Sequence, residues 1–238
     1  MSFCVLCGSN SYSAVRIIPA PSGDYPDNHQ VQCHSCGLIQ CESMPSESLL
    51  TKYYASGDYR KAHTAKLSEL PETDPAYQAT LDPKFIVRRA RRVDLHYQVS
   101  GVWKIYEVGV GAGWTALALQ KLTGARTYGT DADQTLYQVA LENGVLMPDQ
   151  SSYHLAVGYH VLEHVTRPVE FVAGLLQQAP RLLLEVPDVT KFTKDSQWHW
   201  AHTTNFSQDT LRMTLEKAGA KHVWVEEIDN FLMAGGVR

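Results

Sequence analysis

The sequence has 238 residues, of which 44% are hydrophobic and 19% are charged, a composition typical of soluble globular proteins. Its net charge of −4 provides no overall electrostatic attraction to nucleic acid. No apolar run reaches the roughly 18 residues of a membrane span, and the first ten residues lack the basic and hydrophobic regions of a signal peptide. We therefore expect a cytoplasmic protein with one sizeable domain, a small second one and no membrane segment.

All the cysteines lie within the first 41 residues of the chain. They are Cys4, Cys7, Cys33, Cys36 and Cys41. In a cytosolic protein such clustering favours a metal site over disulfides. The first four form two C-x-x-C turns, which can supply four thiolates to a closed tetrahedral site. We therefore predict that residues 1–45 are a zinc ribbon holding a structural Zn²⁺ ion, with the fifth cysteine left as a plain thiol. The alternative is a set of surface thiols without metal.

Residues 46–81 are predicted to be a helical linker, or a lid over the main domain. A short helix is expected at its start, followed by an aromatic and polar string, YYASGDYRKAH, around Gly57. The last part, residues 68–80, is acidic and contains proline. An alternative role for the tyrosines is packing between the two domains.

From residue 82 the pattern becomes helical, with Asp82 as the expected N-cap and Pro83 at the first helical position. Apolar residues recur with helical spacing along one face. Four arginines lie away from that face in the predicted helix, namely Arg88, Arg89, Arg91 and Arg92. We interpret them as a solvated helix surface, with phosphate binding as the alternative. Strands and helices then alternate, which indicates a doubly wound parallel sheet.

The first strand of this sheet runs into a glycine-rich turn, IYEVGVGAGWT, at residues 105–115. Gly109, Gly111 and Gly113 lack a Cβ, so a ligand can approach the backbone there, and the following helix offers unpaired N–H groups. The spacing differs from the dinucleotide fingerprint G-x-G-x-x-G, because Trp114 holds the sixth position. Glu107 precedes the first glycine by two positions. A tight turn in an unrelated α/β protein is the alternative.

Two further acidic residues are candidates for cofactor contacts. Asp131 ends the second predicted strand, where a carboxylate can accept both hydroxyls of a ribose. Residues 146–152 are too short for an ordinary third strand, so we expect this repeat to be trimmed. Asp149 is the acidic candidate there for the adenine edge of a nucleoside.

Four strings occur in order: EVGVGAG, GTDAD, HVLEHV, and an H-x-x-x-F-S string beginning at His202. Together they resemble class I S-adenosylmethionine (SAM) methyltransferases. The resemblance covers residues 102–238 and implies an α/β fold, a Rossmann-like class I methyltransferase sheet carrying a small N-terminal zinc ribbon. It places the SAM-binding methyltransferase domain at residues 82–238.

The ribbon, followed by the Y-x-S-G string at Tyr54, adds a resemblance to nucleotide-sugar C-methyltransferases. In that family the tyrosine of this string and two histidines line the substrate pocket, which implies roles for Tyr54, His160 and His202. The last histidine is favoured as the base. The family's glutamate before that histidine is Ala201 here. The large C-terminal domain of the family is not expected within these residues.

We therefore expect a SAM-dependent methyltransferase that acts on a small polar metabolite, with a nucleotide-linked sugar as one candidate and a histidine as base. One alternative is methylation of nucleic acid or protein docked by the ribbon. Another is a SAM-binding interaction protein without catalysis. The absence of cysteine beyond Cys41 argues against a cysteine nucleophile, and no N/D-P-P-Y string of DNA amine methyltransferases is present. The sequence leaves the oligomeric state open.

Overall fold

The computed structural model describes residues 3–59, 83–149 and 152–238. The predicted N-cap Asp82 and the acidic part of the predicted linker lie outside these residues. The chain divides into two compact units. The first unit comprises Met1–Lys52, His160–Gln177 and Leu184–Arg238. The second comprises Tyr53–Tyr159 and Gln178–Leu183.

The regular elements follow in chain order. The strands are β1 (Tyr12–Ile18), β2 (Asn28–Cys33), β3 (Ile39–Cys41), β4 (Lys104–Val108), β5 (Arg126–Thr130), β6 (Leu155–Tyr159), β7 (Arg181–Pro187), β8 (Thr204–Asn205), β9 (Lys221–Ile228) and β10 (Phe231–Val237). The helices are α1 (Glu47–Ala55), α2 (Pro83–Tyr97), α3 (Trp114–Thr123), α4 (Gln134–Glu142), α5 (Pro168–Gln178) and α6 (Gln208–Lys217). Short 3₁₀ turns occupy Leu162–His164, Val189–Lys191 and Asp195–Gln197.

The larger sheet has six strands in the order β5-β4-β6-β7-β10-β9. Strand β4 runs parallel to both β5 and β6, and β10 is antiparallel to β9. The central strands read as continuous apolar runs, since a parallel strand is covered by helices on both faces; β6 is buried throughout and β7 is buried except at its ends. The predicted α/β, Rossmann-like sheet is confirmed.

The third repeat of the sheet is trimmed, as the sequence predicts. Beyond β5, a single parallel bridge joins Tyr128 to Leu146. Two backbone hydrogen bonds hold it: the Gly129 N–H donates to Leu146 O at 3.1 Å, and the Leu146 N–H donates to Thr127 O at 2.9 Å. One residue therefore stands where a full strand would lie.

The smaller sheet belongs to the first unit and has the order β1-β2-β3-β8, with antiparallel neighbours. Strands β2 and β3 lie on either side of the second C-x-x-C turn. Strand β1 has no clear signal in the sequence, because its residues are mostly exposed at the sheet edge and do not alternate. Strand β8 has only two residues, and it pairs Asn205 with Ile39 and Thr204 with Gln40. The ribbon sheet is thus completed by the loop that carries His202.

Helix α2 corrects one expectation. Ala90 and Val93 are buried as predicted, but Arg89 is also buried, at 9% exposure. Its guanidinium lies 5.1 Å from the ring centroid of Tyr159, and that of Arg88 lies 4.0 Å from the ring of Phe85. Long cationic side chains can cover aromatic surface in this way, so these two arginines do not form the solvated face that the spacing predicts. Within the described residues, none of the helices is both long and apolar enough to span a membrane.

Candidate functional site

The glycine loop, residues 109–113, follows β4 in the second unit. Its three glycines all have positive φ, at +69° for Gly109, +54° for Gly111 and +87° for Gly113. A Cβ at Gly113 would lie 2.8 Å from Val145 Cγ2, so this glycine is required for packing. A Cβ at Gly111 would meet nothing within 4 Å in the part of the chain that the structure describes. The loop therefore combines one tightly packed position with one where a ligand can approach the backbone.

The same loop leads directly into α3, whose N-cap is Gly113. This cap has no side chain to accept hydrogen bonds from the first turn. The N–H groups of the first turn therefore remain available to an anionic or polar ligand group, and the helix dipole favours negative charge at this end.

Asp131 directly follows β5, and its carboxylate is hydrogen-bonded to the backbone of the glycine loop. Its Oδ2 accepts from the Gly111 N–H at 2.7 Å, and its Oδ1 accepts from the Asp133 N–H at 2.8 Å. Burial raises the pKa of Asp131, although these hydrogen bonds act to lower it. Each carboxylate oxygen has a second lone pair, so the group can still accept hydrogen bonds from a ribose diol.

Glu107 lies on β4, immediately before the loop, and is 4% exposed. Burial raises its pKa to about 8, and the repulsion from Asp131 adds to this against the opposing attraction of Arg89. Within the described parts of the chain, Glu107 Oε2 has no hydrogen-bond partner. A buried carboxyl with an unused oxygen is costly unless a ligand supplies a donor, and an ammonium group would be a suitable one.

Asp149 is not brought to the glycine loop. Its Oδ2 lies 2.9 Å from Lys104 Nζ, and its backbone carbonyl accepts from the Tyr153 hydroxyl at 3.1 Å. Lys104 is the first residue of β4, whereas the glycine loop follows the last residue. Ligands of parallel α/β sheets bind at the carboxyl ends of the strands, whereas this ion pair involves the first residue of β4. A cofactor contact at Asp149 stays a prediction.

Tyr54 lies near the end of α1, and its ring is surrounded by other tyrosines. Its ring centroid is 5.7 Å from that of Tyr53 and 5.1 Å from that of Tyr59, with tilted or edge-on geometry. Such arrangements are favourable for aromatic pairs. The aromatic string predicted after Tyr54 is therefore a packed group over the residues that the structure describes.

The first unit contains a histidine cluster, by which we mean His160, His164, His199 and His202 together with Glu163 and Glu185. His160 Nδ1 lies 3.3 Å from Glu163 Oε1, and His160 Nε2 lies 3.2 Å from Glu185 Oε1. Both glutamates are 1% exposed. His160 also has a φ of +56°, an uncommon conformation for a residue with a side chain. The backbone thus holds this imidazole between two buried carboxylates.

The remaining histidines of the cluster pack against one another. The ring of His202 lies 4.9 Å from that of His164 and 5.4 Å from that of His199, centroid to centroid. His164 Nδ1 donates to Ala201 O at 3.1 Å, since a carbonyl can only accept. Burial lowers the pKa of His164, although Glu163 acts to raise it. Both the carbonyl partner at Nδ1 and the lowered pKa favour the neutral imidazole with its proton on Nδ1.

Amide side chains of β2 position the backbone at His202. Gln30 Nε2 donates to His202 O at 2.9 Å, and Asn28 Nδ2 donates to the same oxygen at 3.3 Å. Gln30 Oε1 also accepts from Asn205 Nδ2 at 3.1 Å. One strand of the predicted ribbon therefore also fixes the loop that carries a predicted catalytic residue.

Sequence reasoning missed the role of the buried glutamates. The position where the resembling family has a glutamate is Ala201 here, but the structure brings Glu163 to the same cluster from another segment. The string HVLEH could have indicated that Glu163 belongs to the cluster, because it places an acidic residue between two histidines. Only the fold could show that all three face His202 or each other.

The four cysteines of the predicted ribbon do come together; we call them the cysteine cluster. The sulfur atoms of Cys4 and Cys36 are 3.6 Å apart, and those of Cys7 and Cys33 are 3.5 Å apart. A tetrahedral ion with Zn–S bonds of about 2.3 Å separates its thiolates by roughly 3.8 Å. All four sulfurs lie within 4.8 Å of one another, so the cluster is compatible with a closed tetrahedral metal site.

Both cysteine pairs sit in the same kind of turn. The Gly8 N–H donates to Cys4 O and the Gly37 N–H donates to Cys33 O, each at 2.8 Å. The φ values of these glycines are +78° and +79°, a conformation that glycine adopts without strain. Cys41 is buried outside the cluster, and burial raises the pKa of its thiol to about 12. It remains the plain thiol that the sequence predicts.

No protein-family model matches the sequence, and no curated protein matches it. Solved structures do resemble it. Magnesium protoporphyrin IX methyltransferase from Synechocystis, with bound S-adenosylhomocysteine (SAH), aligns over 81% of this chain and 100% of its own, with a TM-score of 0.59 and 14% identity. A SAM-dependent methyltransferase from Archaeoglobus fulgidus covers 68% of this chain and 98% of its own, with a TM-score of 0.55 and 15% identity.

A third similar structure is the N-terminal domain of EvdMO1, solved in the presence of SAH and D-fucose. It covers 66% of this chain and 83% of its own, with a TM-score of 0.51 and 17% identity. At such identities a likeness establishes the fold and no more. The chain has the Rossmann-like fold of SAM-dependent methyltransferases.

Proposed function

We propose that this protein is a SAM-dependent methyltransferase. The observation that carries the proposal is the glycine loop with Glu107 and Asp131 beside it. The open space at Gly111 would admit the cofactor to the backbone, Asp131 would accept from the ribose hydroxyls, and the unused oxygen of Glu107 would accept from the ammonium group. When bound, SAM supplies an electrophilic methyl group on a sulfonium.

The acceptor in this proposal is a small polar metabolite, and a nucleotide-linked sugar is the specific candidate. The resemblance of the ribbon and the Tyr54 string to sugar methyltransferases supports it. EvdMO1, whose N-terminal domain was crystallised with a sugar present, has a similar fold. Tyr54 is proposed as an acceptor contact. A hydroxyl or carbon acceptor must lose a proton as its bond to the methyl group forms, so a base is needed.

The base is proposed to be His202 or His160. His160 lies between Glu163 and Glu185, whose carboxylates would stabilise the imidazolium that forms when it takes a proton. The backbone at His202 is fixed by Gln30 and Asn28, which restricts where its ring can point. Positioning of this kind is what converts a weak base into an effective one.

The cysteine cluster is proposed to hold Zn²⁺ in a structural role. Four thiolates at tetrahedral spacing close the coordination sphere, so such an ion has no open position for substrate. The ion would then support the histidine cluster indirectly. Gln30 and Asn28, which bind the backbone at His202, lie on β2, between the first and second cysteine pairs in the sequence.

The test is calorimetric titration of the full chain with SAM and with SAH. We expect a Kd in the micromolar range, roughly −8 kcal/mol. Asp131→Asn, which keeps the size of the side chain, should weaken binding about 30-fold or more, because an amide cannot accept from both ribose hydroxyls. Asp149→Asn is the matched control and should bind as the parent does, since it lies at the other end of β4. Failure of both nucleosides to bind the parent would refute the proposal.

A further inference from the structure

We propose that Glu163, His164 and His202 form a site for a divalent transition-metal cation, separate from the cysteine cluster. One ligand atom from each residue lies within 4.8 Å of the other two. Glu163 is 1% exposed and His202 is 8% exposed. Two imidazoles and one carboxylate, gathered from two segments of the first unit into a buried position, are a common ligand set for such ions.

The first argument concerns the tautomer of His164. Because its Nδ1–H donates to Ala201 O, its Nε2 carries a lone pair. Metal-binding histidines typically donate their other ring N–H to a carbonyl or carboxylate in this manner. His164 Nε2 lies 4.0 Å from Glu163 Oε1. The lone pair and a carboxylate oxygen therefore lie close together inside the protein, an arrangement that a cation between them would stabilise.

The second argument concerns Glu163. Among the described residues, neither of its carboxylate oxygens accepts a hydrogen bond. Its closest charged or polar contact is the ion-pair distance of 3.3 Å to His160 Nδ1. A buried carboxylate without hydrogen bonds is strongly disfavoured, and a single side contact with one imidazole leaves most of that cost. A coordinated cation would remove it.

The third argument is that the backbone around the site is already fixed. The Thr203 N–H donates to Glu163 O at 2.8 Å, and the Thr203 hydroxyl donates to Val165 O at 2.7 Å. These bonds tie the two ligand-bearing segments together next to the ligands themselves. Metal–ligand bonds of about 2.0–2.1 Å separate tetrahedral ligand atoms by roughly 3.4 Å. The ligand atoms lie within 4.8 Å of one another, so binding would draw them together by up to about 1.4 Å.

Three protein ligands leave at least one coordination position open, unlike the closed cysteine cluster. This position could take water or an oxygen atom of an acceptor. One corollary rests on the proposed function. If His202 coordinates a cation, its lone pair is occupied, and of the two histidines proposed as base only His160 keeps that role. Cation binding itself is independent of SAM and of the acceptor.

The test counts zinc in the full chain after equilibrium dialysis against ZnCl₂, without SAM. We expect about two zinc ions per parent chain, one in each site, and about one in Glu163→Gln and in His202→Ala. His29→Ala is the control, because it removes an exposed imidazole of the same unit and should leave the zinc content unchanged. Near-ultraviolet circular dichroism establishes that each variant is folded.

A parent chain that retains only about one zinc ion would overturn the proposal, with a proton rather than a metal between His164 and Glu163. A content of about two in the parent and in both ligand variants would also overturn it, because the second ion would then lie elsewhere. If a variant of a ligand residue does not fold, the melting temperature of the parent protein, measured with increasing zinc, tests the proposal instead. Zinc added to the parent beyond the first equivalent should raise this temperature, and no rise would count against the site.

Discussion

The glycine loop, together with Glu107 and Asp131 beside it, comes from one stretch of chain, positions 107 to 131. The histidine cluster instead combines residues near position 160 with others near position 200. The first site is built by a strand, a turn and a second strand of one repeat. The second depends on β8 pairing with β3 and on amide side chains of β2. A site of the first kind should respond to changes within its own stretch, and one of the second kind to changes far away in sequence.

The largest effect of a single substitution is expected within the glycine loop. Gly113→Ala would place a Cβ 2.8 Å from Val145 Cγ2, at a φ of +87°. Steric overlap and backbone strain together should lower the free energy of unfolding by about 4 kcal/mol. Urea denaturation measures this value.

Gly144→Ala is the matched control for that variant. It has a φ of +103° and open space around the added Cβ, so only the backbone strain remains, about 1 kcal/mol. Equal losses in the two variants would mean that packing against Val145 does not matter, and the local description of the loop would be incorrect.

Glu107 should give the loop a pH-dependent stability. Its pKa is raised from 4.5 to about 8 in the folded chain. Between these pH values the folded state keeps a proton on Glu107 that the unfolded state releases. The stability of the folded state is therefore highest below pH 4.5 and falls as the pH rises to about 8. The full loss in the free energy of unfolding is on the order of 5 kcal/mol, since each pKa unit is worth about 1.4 kcal/mol.

Urea denaturation between pH 5 and 8 tests this, with Glu107→Gln as the variant that should flatten the profile. Glu142→Gln on α4 is the control, because that side chain is exposed. A parent whose stability rises over this range, or a Glu107→Gln profile as steep as the parent's, would contradict the prediction.

A smaller effect is expected from a remote residue of the assembled site. Gln30→Leu removes the hydrogen bonds to His202 O and Asn205 Nδ2 and leaves those buried groups without these partners. We expect a loss of about 2 kcal/mol in the free energy of unfolding. Gln32→Leu changes an exposed glutamine of the same strand and should have little effect. Equal effects from the two variants would show that the contact with His202 contributes nothing.

Much of the sheet could be predicted from the sequence, because its signals are local. Asp131 was expected to end the second strand, and β5 ends one residue before it. Pro83 was expected at the first helical position, and α2 begins there. Turn residues mark the ends of strands, and capping residues mark the ends of helices, so these boundaries can be read from the local sequence. The trimmed repeat was visible for the same reason, as a segment too short for a strand.

The histidine cluster could be predicted only in part. Motif resemblance pointed to His160 and His202, but Glu163 joins them through tertiary structure that no spacing encodes. The same applies to Arg89, whose charge suggested solvent and whose burial depends on an aromatic ring elsewhere in its unit. Asp149 was chosen because it is acidic and near the third repeat, and its ion pair with Lys104 at the start of β4 was not visible in the sequence.

The pairing of Ile39 with Asn205 joins positions 166 residues apart. During synthesis, the N-terminal cysteine turns emerge early, yet their sheet cannot be completed until β8 has left the ribosome. Contacts of such long sequence separation are slow to form, because a large loop must close before they stabilise the chain. The ribbon and the histidine cluster should therefore reach their native arrangement together, as a late step in the maturation of the protein.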